Sequence, residues 1–267
     1  MAHTLLQSHD FSGRVALVMG ASRGIGRAAA EVLAGYGAHV ALGARGVDPV
    51  ESVAAGIRGA GGSAEAHACD VTDFDAVRAL VDRVATERGR LDLVVNNAGV
   101  IEPLARLADS DPEQWSLAVD VNLKGVYHAM RAALPRMIEA RAGTIVNLSS
   151  GAANGALVGW SHYCATKAAA KKLTEVAQKE VSEHGVRVVG LSPGTVATDM
   201  MRKIRDSKIN VVSNLDWSRH IPPEWAGEGV AFLFGPGGDA YLGGDFSIKT
   251  PEGRAAVGLP QEGAPDA

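Results

Sequence analysis

Val15-Ala-Leu-Val-Met-Gly20-Ala-Ser-Arg-Gly24-Ile-Gly26, with the run Ile25–Tyr36 behind it, is the stretch that decides how this chain folds. Its first five residues are apolar at consecutive positions, the pattern of a parallel strand covered on both faces. Three glycines spaced GxxxGxG follow, and then a segment of helical length. A strand that turns through glycines into a helix lets backbone approach a ligand closely. The N-terminus of such a helix attracts an anion such as a pyrophosphate. The spacing is not GxGxxG, so the glycines need support from elsewhere in the chain.

That support is a rhythm. His39–Leu42, Ala64–Ala68, Leu91–Val95, Thr144–Leu148 and Arg187–Leu191 read as further strands, with a last one near Gly244–Ile248. Pro49–Ala60, Phe74–Arg88, Pro112–Ala140 and Ser161–His184 read as helices between them. The alternation predicts one Rossmann-type domain: a doubly wound parallel sheet of about seven strands with helices on both faces. Thr198–Pro223 is long for a connection between a strand and a helix and reads as a substrate lid over residues 198–223. Residues 1–10 and 251–267 read as tails, the second rich in Gly, Pro and Ala and either disordered or wrapped round a neighbouring subunit.

Composition narrows the class. The 267 residues are 46% hydrophobic and 21% charged, which fits a globular protein with a large core. A net charge of −4 without a basic run argues against nucleic acid. The start lacks a basic region followed by an apolar run, and no segment is apolar enough to span a membrane, so the cytoplasm is the expected compartment. Cys69 and Cys164 are not in metal-type spacing, and no metal site is expected.

Chemistry enters at Ser161-His-Tyr-Cys-Ala-Thr-Lys167. Tyr163 and Lys167 stand one helical turn apart and project from one face. A cation beside a phenol favours the phenolate, so the lysine is expected to lower the tyrosine pKa and fit it to exchange protons near neutrality. Ser150, thirteen residues earlier, can hydrogen-bond the oxygen of a carbonyl or alcohol. Ser149 competes with it, and the spacing favours Ser150. At the end of the second strand, Val40-Ala-Leu-Gly-Ala-Arg45 puts Ala44 where an acidic residue would read the ribose hydroxyls of NAD. Arg45 beside it, with Arg23 in the glycine loop, suits the 2′-phosphate of NADP(H) better than NAD(H). Two ordinary surface arginines are the bland alternative.

The order and spacing of Gly20–Gly26, Asp70-Val71, Asn96-Asn-Ala-Gly99, Asn122, Ser150, Tyr163, Lys167 and Pro193-Gly194 resemble the short-chain dehydrogenase/reductase family over Phe11–Ile248. The resemblance implies that Gly20, Ser22, Arg23, Gly24, Ile25 and Gly26 cradle the cofactor and that Asp70 and Val71 hold its adenine. Asn97, Ala98 and Gly99 would pack beside it. Pro193, Gly194, Val196 and Thr198 would line the nicotinamide, which Tyr163 and Lys167 also touch. Asn122 would complete an Asn–Ser–Tyr–Lys tetrad with Ser150, Tyr163 and Lys167. Met19 stands where the family usually has Thr, which removes a hydroxyl that ties the glycine loop to the Asn-Asn-Ala-Gly turn.

Together these features predict reduction of a ketone or aldehyde to an alcohol, or the reverse, with Tyr163 as general acid/base. A 3-oxoacyl-carrier-protein reductase is an alternative, and a non-catalytic nucleotide-binding scaffold is another. The complete Ser–Tyr–Lys set argues against the scaffold. Leu157, Val158, Trp160, Met200, Met201 and Ile204 suggest an apolar substrate pocket. Pro112–Ala140 and Ser161–His184 are apolar on more than one face, and with the family's habit they predict a homotetramer or homodimer.

Overall fold

The computed structural model describes residues 9–261. Seven parallel strands form one sheet in the order β3-β2-β1-β4-β5-β6-β7. They are β1 (Val15–Met19), β2 (His39–Ala44), β3 (Ser63–Ala68), β4 (Leu93–Asn96), β5 (Gly143–Leu148), β6 (Val186–Ser192) and β7 (Asp245–Ser247). The strand order reverses between β1 and β4. Two neighbouring connections there leave in opposite directions and open a crevice above the strand ends. This is the doubly wound single domain expected from the sequence.

Nine helices cover the sheet among the described residues. On one face lie α1 (Gly24–Gly35), α2 (Val47–Gly59), α8 (Pro223–Phe234) and α9 (Pro251–Val257). On the other lie α3 (Phe74–Arg88), α5 (Gly125–Ala140) and α6 (Ser161–Val181). Two short helices, α4 (Pro112–Val119) and α7 (Asp199–Ser207), flank the crevice. Strands β1, β4 and β5 are buried almost throughout, which is why their sequences are continuous apolar runs rather than alternating ones.

Three expectations change. The helix read over Pro112–Ala140 is interrupted by a π-helical turn at Asp120–Lys124. Asn122 sits in that turn, fully buried, and both ends of its amide bond the backbone of Val100. A wide turn is the local cost of aiming a side chain at a fixed backbone partner. The fourth strand begins at Leu93, not Leu91, because the Asp92 carboxylate is taken up by Arg14, Arg90 and the Val15 amide.

The tail expected from 251 is not a tail over its described part. α9 is capped by the Thr250 hydroxyl, which accepts from Gly253 N, and its Val257, with Leu259 beyond it, lies in the core against α8. Residues 1–8 and 262–267 of the expected tails lie outside the described residues. If α9 belongs to the core, Leu259→Ala should cost about 2–4 kcal/mol of stability, as for other buried leucines. Urea unfolding reads this as a lower midpoint at unchanged slope, and an unchanged midpoint would return the segment to tail status.

Candidate active site

The glycine loop and the turn after β4 meet at the sheet's reversal point. A side chain at Gly20 would come within 2.7 Å of the Ala98 backbone, and Gly20 has φ +78°, so only glycine fits. The amide Nδ2 of Asn97 donates to Gly20 O at 2.8 Å, and Asn97 N donates to Met19 O at 3.2 Å. The tie that a hydroxyl at position 19 would supply is therefore made from the other side, by Asn97. Met19 itself is core, its sulfur packed over Gly43.

These loops form one wall of a cleft of about 1060 Å³. Gly20, Ser22, Arg23, Gly24 and Ile25 line it, as do Arg45 after β2 and Asp70 and Val71 after β3. Asn97, Ala98 and Gly99 follow from β4, Ser150 from β5, and Pro193, Gly194, Val196 and Thr198 from β6. Tyr163 and Lys167 enter from α6. Of the expected site residues, only Gly26 and Asn122 lie behind the wall. A side chain at Gly26 would collide with Gly20 O and the Asn97 amide, so its role is to let the helix close on the loop.

The cleft fits a dinucleotide. No side chain caps α1, so its first-turn N–H groups face the opening. No acidic group stands in that first turn, and Arg23 and Arg45 supply positive charge on the same side. Asp70 is held by accepting from Thr72 N and Thr72 Oγ1, while Asp73 caps α3.

At the other end, Ser150, Tyr163 and Lys167 converge. The Ser150 hydroxyl hydrogen-bonds the Tyr163 phenol. Lys167 is 5% exposed, donates from Nζ to Leu148 O at 2.6 Å, and lies 5.7 Å from the centre of the tyrosine ring. Burial lowers the Lys167 pKa to about 8, against an opposing pull from Asp245. Burial pushes Tyr163 up to about 12, and the Ser150 hydrogen bond offsets this only in part. The expected lowering of Tyr163 by Lys167 gives way to a rise, because burial of the phenol is the largest influence on it. The phenol of Tyr163 thus keeps its proton at neutral pH.

Ser149 faces away from the cleft chemistry, donating to Asp245 Oδ2 on β7 at 2.6 Å, which leaves Ser150 as the serine beside Tyr163. Asn122 Nδ2 also reaches Thr166 Oγ1 at 3.4 Å, linking the π turn to α6 one residue before Lys167.

Beyond Tyr163 the cleft turns apolar. Ile101, Ala152, Trp160, Met201 and Ile204 pack together there, with Leu157, Met200 and Val212 at their edge. Trp160 meets Tyr163 edge-on, with ring centres 5.6 Å apart. Val158, expected in this wall, is instead 54% exposed. The 198–223 segment covers this end: Thr198 caps α7, and Arg202 and Arg205 both stack on Trp217. An ion pair joins Lys203 on α7 to Glu102, and both residues line the cleft.

Sequence reasoning missed the buried chain Asn96–Asn147–Thr174, joined by hydrogen bonds of 2.8 Å each across β4, β5 and α6. Asn147 inside an apolar strand was its available signal. Asp245, Lys249 and Arg254 gave no signal, since the groups they meet lie far from them in the sequence.

A family model described as short chain dehydrogenase matches residues 14–209. A 3-oxoacyl-[acyl-carrier-protein] reductase of Thermotoga maritima is 32% identical, with 83% of this chain and 90% of that protein aligned. A cis-4-hydroxycyclohexanecarboxylate dehydrogenase of Sinomonas cyclohexanicum is 37% identical over 89% and 96%. Among solved structures, a metagenomic short-chain oxidoreductase in complex with NADP matches at a TM-score of 0.72 and 38% identity, covering 85% of this chain and 92% of that one. An NAD+-bound xylitol dehydrogenase matches at 0.83 and 29%, covering 89% and 98%.

Proposed function

The chain belongs to the short-chain dehydrogenase family of oxidoreductases, and on that premise we propose that it is an NADP(H)-dependent carbonyl reductase or alcohol dehydrogenase with Tyr163 as its acid/base group. The observation that carries this is the convergence of Ser150, Tyr163 and Lys167 at one end of a cleft whose other end is a glycine loop flanked by Arg23 and Arg45.

A bound reduced nicotinamide supplies the hydride in such a reaction. Ser150 holds the carbonyl oxygen, and Tyr163, protonated at neutral pH, delivers a proton to that oxygen as charge develops on it. Lys167 fixes its ammonium beneath the phenol through Leu148 O and steadies the negative charge left on the phenol oxygen. Asn122, through Val100 and Thr166, holds the start of α6 in place and acts as a positioning residue. Residues 198–223 serve as the lid that keeps water from the reacting atoms.

The cofactor reading rests on Arg23 and Arg45 and on the absence of an acid at Ala44, the residue ending β2. The NADP-bound neighbour supports it, and the NAD+-bound neighbour is the competing precedent. Reduction of a 3-oxoacyl group on a carrier protein is the second reading, favoured by the Thermotoga relative. It is weakened because the exposed cations of α7, Arg202, Lys203 and Arg205, are each paired with a carboxylate and offer an acidic carrier little free charge. Both cysteines are free, which suits the reducing cytoplasm. No helix among the described residues is long and apolar enough to cross a membrane.

Assembly is part of the proposal. Tyr127 on α5 and Val176 on α6 are 50% and 44% exposed, an apolar surplus on the helices expected to pair with a second copy. Light scattering at micromolar concentration should give a dimer or tetramer mass; the single-chain mass would reject this pairing.

Tyr163→Phe should leave NADPH binding and folding intact and lower carbonyl reduction by more than about 10⁴-fold, beyond ordinary acid catalysis, since Ser150, the other donor to that oxygen, is too weak an acid to give up its proton. The parent's reduction rate should be level with pH below about 8 and fall above it as Lys167 deprotonates. Alcohol oxidation needs the phenolate and should rise with pH towards 12. Activity of the phenylalanine variant within a few-fold of the parent would remove Tyr163 from the mechanism.

Arg45→Asp should shift preference from NADPH towards NADH, because a carboxylate repels the 2′-phosphate and accepts from a ribose hydroxyl. Dissociation constants for both cofactors in parent and variant decide; a parent that binds NADH as tightly as NADPH contradicts the reading.

A further inference from the structure

The β7 end of the cleft carries cations that the reaction above does not use. Lys249 and Arg254 line the cleft beside Pro193 and Gly194, with Lys249 Cβ 3.5 Å from the position a Gly194 side chain would take. Arg254 is 5% exposed. Its Nη2 donates to Lys249 O at 2.8 Å, and its Nε, buried, has no hydrogen-bond partner. Among the described residues neither side chain forms an ion pair. The carboxylates that share the cleft wall near the lid are committed elsewhere, Glu102 to Lys203 and Asp199 to Arg202. A guanidinium taken out of water with an open donor is costly unless an acceptor meets it. Pinning α9 to β7 needs only the Nη2 bond, so it does not account for Nε or for the exposed ammonium of Lys249 beside it.

Sheet topology separates these cations from the cofactor's phosphates. Strands lie about 4.8 Å apart. The glycine loop follows β1, four strands from β7, and Arg45 follows β2, five strands away, so the two charged ends are roughly 19 and 24 Å from Lys249 across the sheet. Ser150 follows β5, only two strands away, or about 10 Å. An anionic group held at Lys249 and Arg254 is therefore within reach of a molecule whose carbonyl lies at Ser150 and Tyr163.

We infer that Lys249 and Arg254 form a carboxylate-binding subsite, so that the substrates of the proposed oxidoreductase are keto acids and hydroxy acids whose two groups are set apart along the cleft. The inference rests on the reading of Ser150 and Tyr163 as the carbonyl site. Charge-assisted hydrogen bonds of this kind correspond to about 10- to 150-fold in affinity.

The test uses the full-length protein saturated with NADP+. Calorimetric titration compares 4-oxocyclohexanecarboxylate, 5-oxohexanoate and 4-acetylbenzoate with their methyl esters. At least one acid should bind about tenfold or more tightly than its ester. Lys249→Gln, at an exposed position where folding is not at stake, should remove most of that difference without changing ester binding or the dissociation constant of NADPH. Arg254→Gln should do the same if it folds, and Lys249→Gln decides alone if it does not. Equal binding of acids and esters, or no acid binding below 10 mM (about the limit of a useful subsite), overturns the inference. So does a variant that weakens NADPH instead, which would assign the cations to the cofactor. Turnover with NADPH is read separately: acid binding without reduction of any ketone counts against the oxidoreductase reading while leaving the subsite standing.

Discussion

The contact between the glycine loop and the turn after β4 is the constraint on which the site depends. Gly20 lies against Ala98 with no room for a side chain, and the Asn97 amide bonds Gly20 O. These two loops leave neighbouring strands, β1 and β4, where the sheet order reverses. Locking them together sets the floor of the crevice at the depth where backbone N–H groups of α1 face it. A larger residue at either position would lift one loop off the other and misplace the charged end of α1 relative to Tyr163. The buried methionine at position 19 shows that the tie can be made by the asparagine alone.

The sheet centre is polar where an apolar core would be simpler. Asn96, Asn147 and Thr174 form a continuous hydrogen-bonded chain, and the Asn122 amide satisfies both the N–H and the C=O of Val100. Each such group would be costly if left open. The bonds they make fix the distance between β4, β5 and α6, the elements that carry the Asn97 turn, Ser150 and Tyr163, with only Asn96 Oδ1 of the chain left open. Rigid spacing of this kind is what a proton donor and a hydrogen-bonding serine need in order to meet one oxygen.

Lys167 is where stability is given up for the site. Its folded pKa of about 8 lies below the ordinary 10.5, so the folded state binds the proton less well than the unfolded chain. The cost, on the order of 3 kcal/mol, is in full force below about pH 8 and fades as pH rises towards 10.5. The bond to Leu148 O and the nearby Asp245 limit it. A chain under no functional demand has a simpler option, an apolar residue at that position.

Local pattern was enough to read the strand–helix alternation, the glycine turn, and the pairing of Tyr163 with Lys167, because each depends on residues within a turn or two of one another. The parallel sheet followed from those elements, since continuous apolar strands joined by helices have few other ways to be covered. Long-range neighbours decided the rest. Which of Ser149 and Ser150 faces the tyrosine depends on Asp245, nearly a hundred residues on. The direction of the Tyr163 pKa depends on how much water the folded cleft excludes, which no spacing records. The π turn at Asn122 answers to the Val100 backbone, and α9 is held by a core that exists only once α8 is in place. Lys249 and Arg254 meet the cleft only because β7 lies beside β6; in the sequence one simply follows the last strand and the other falls in a segment that reads as a tail.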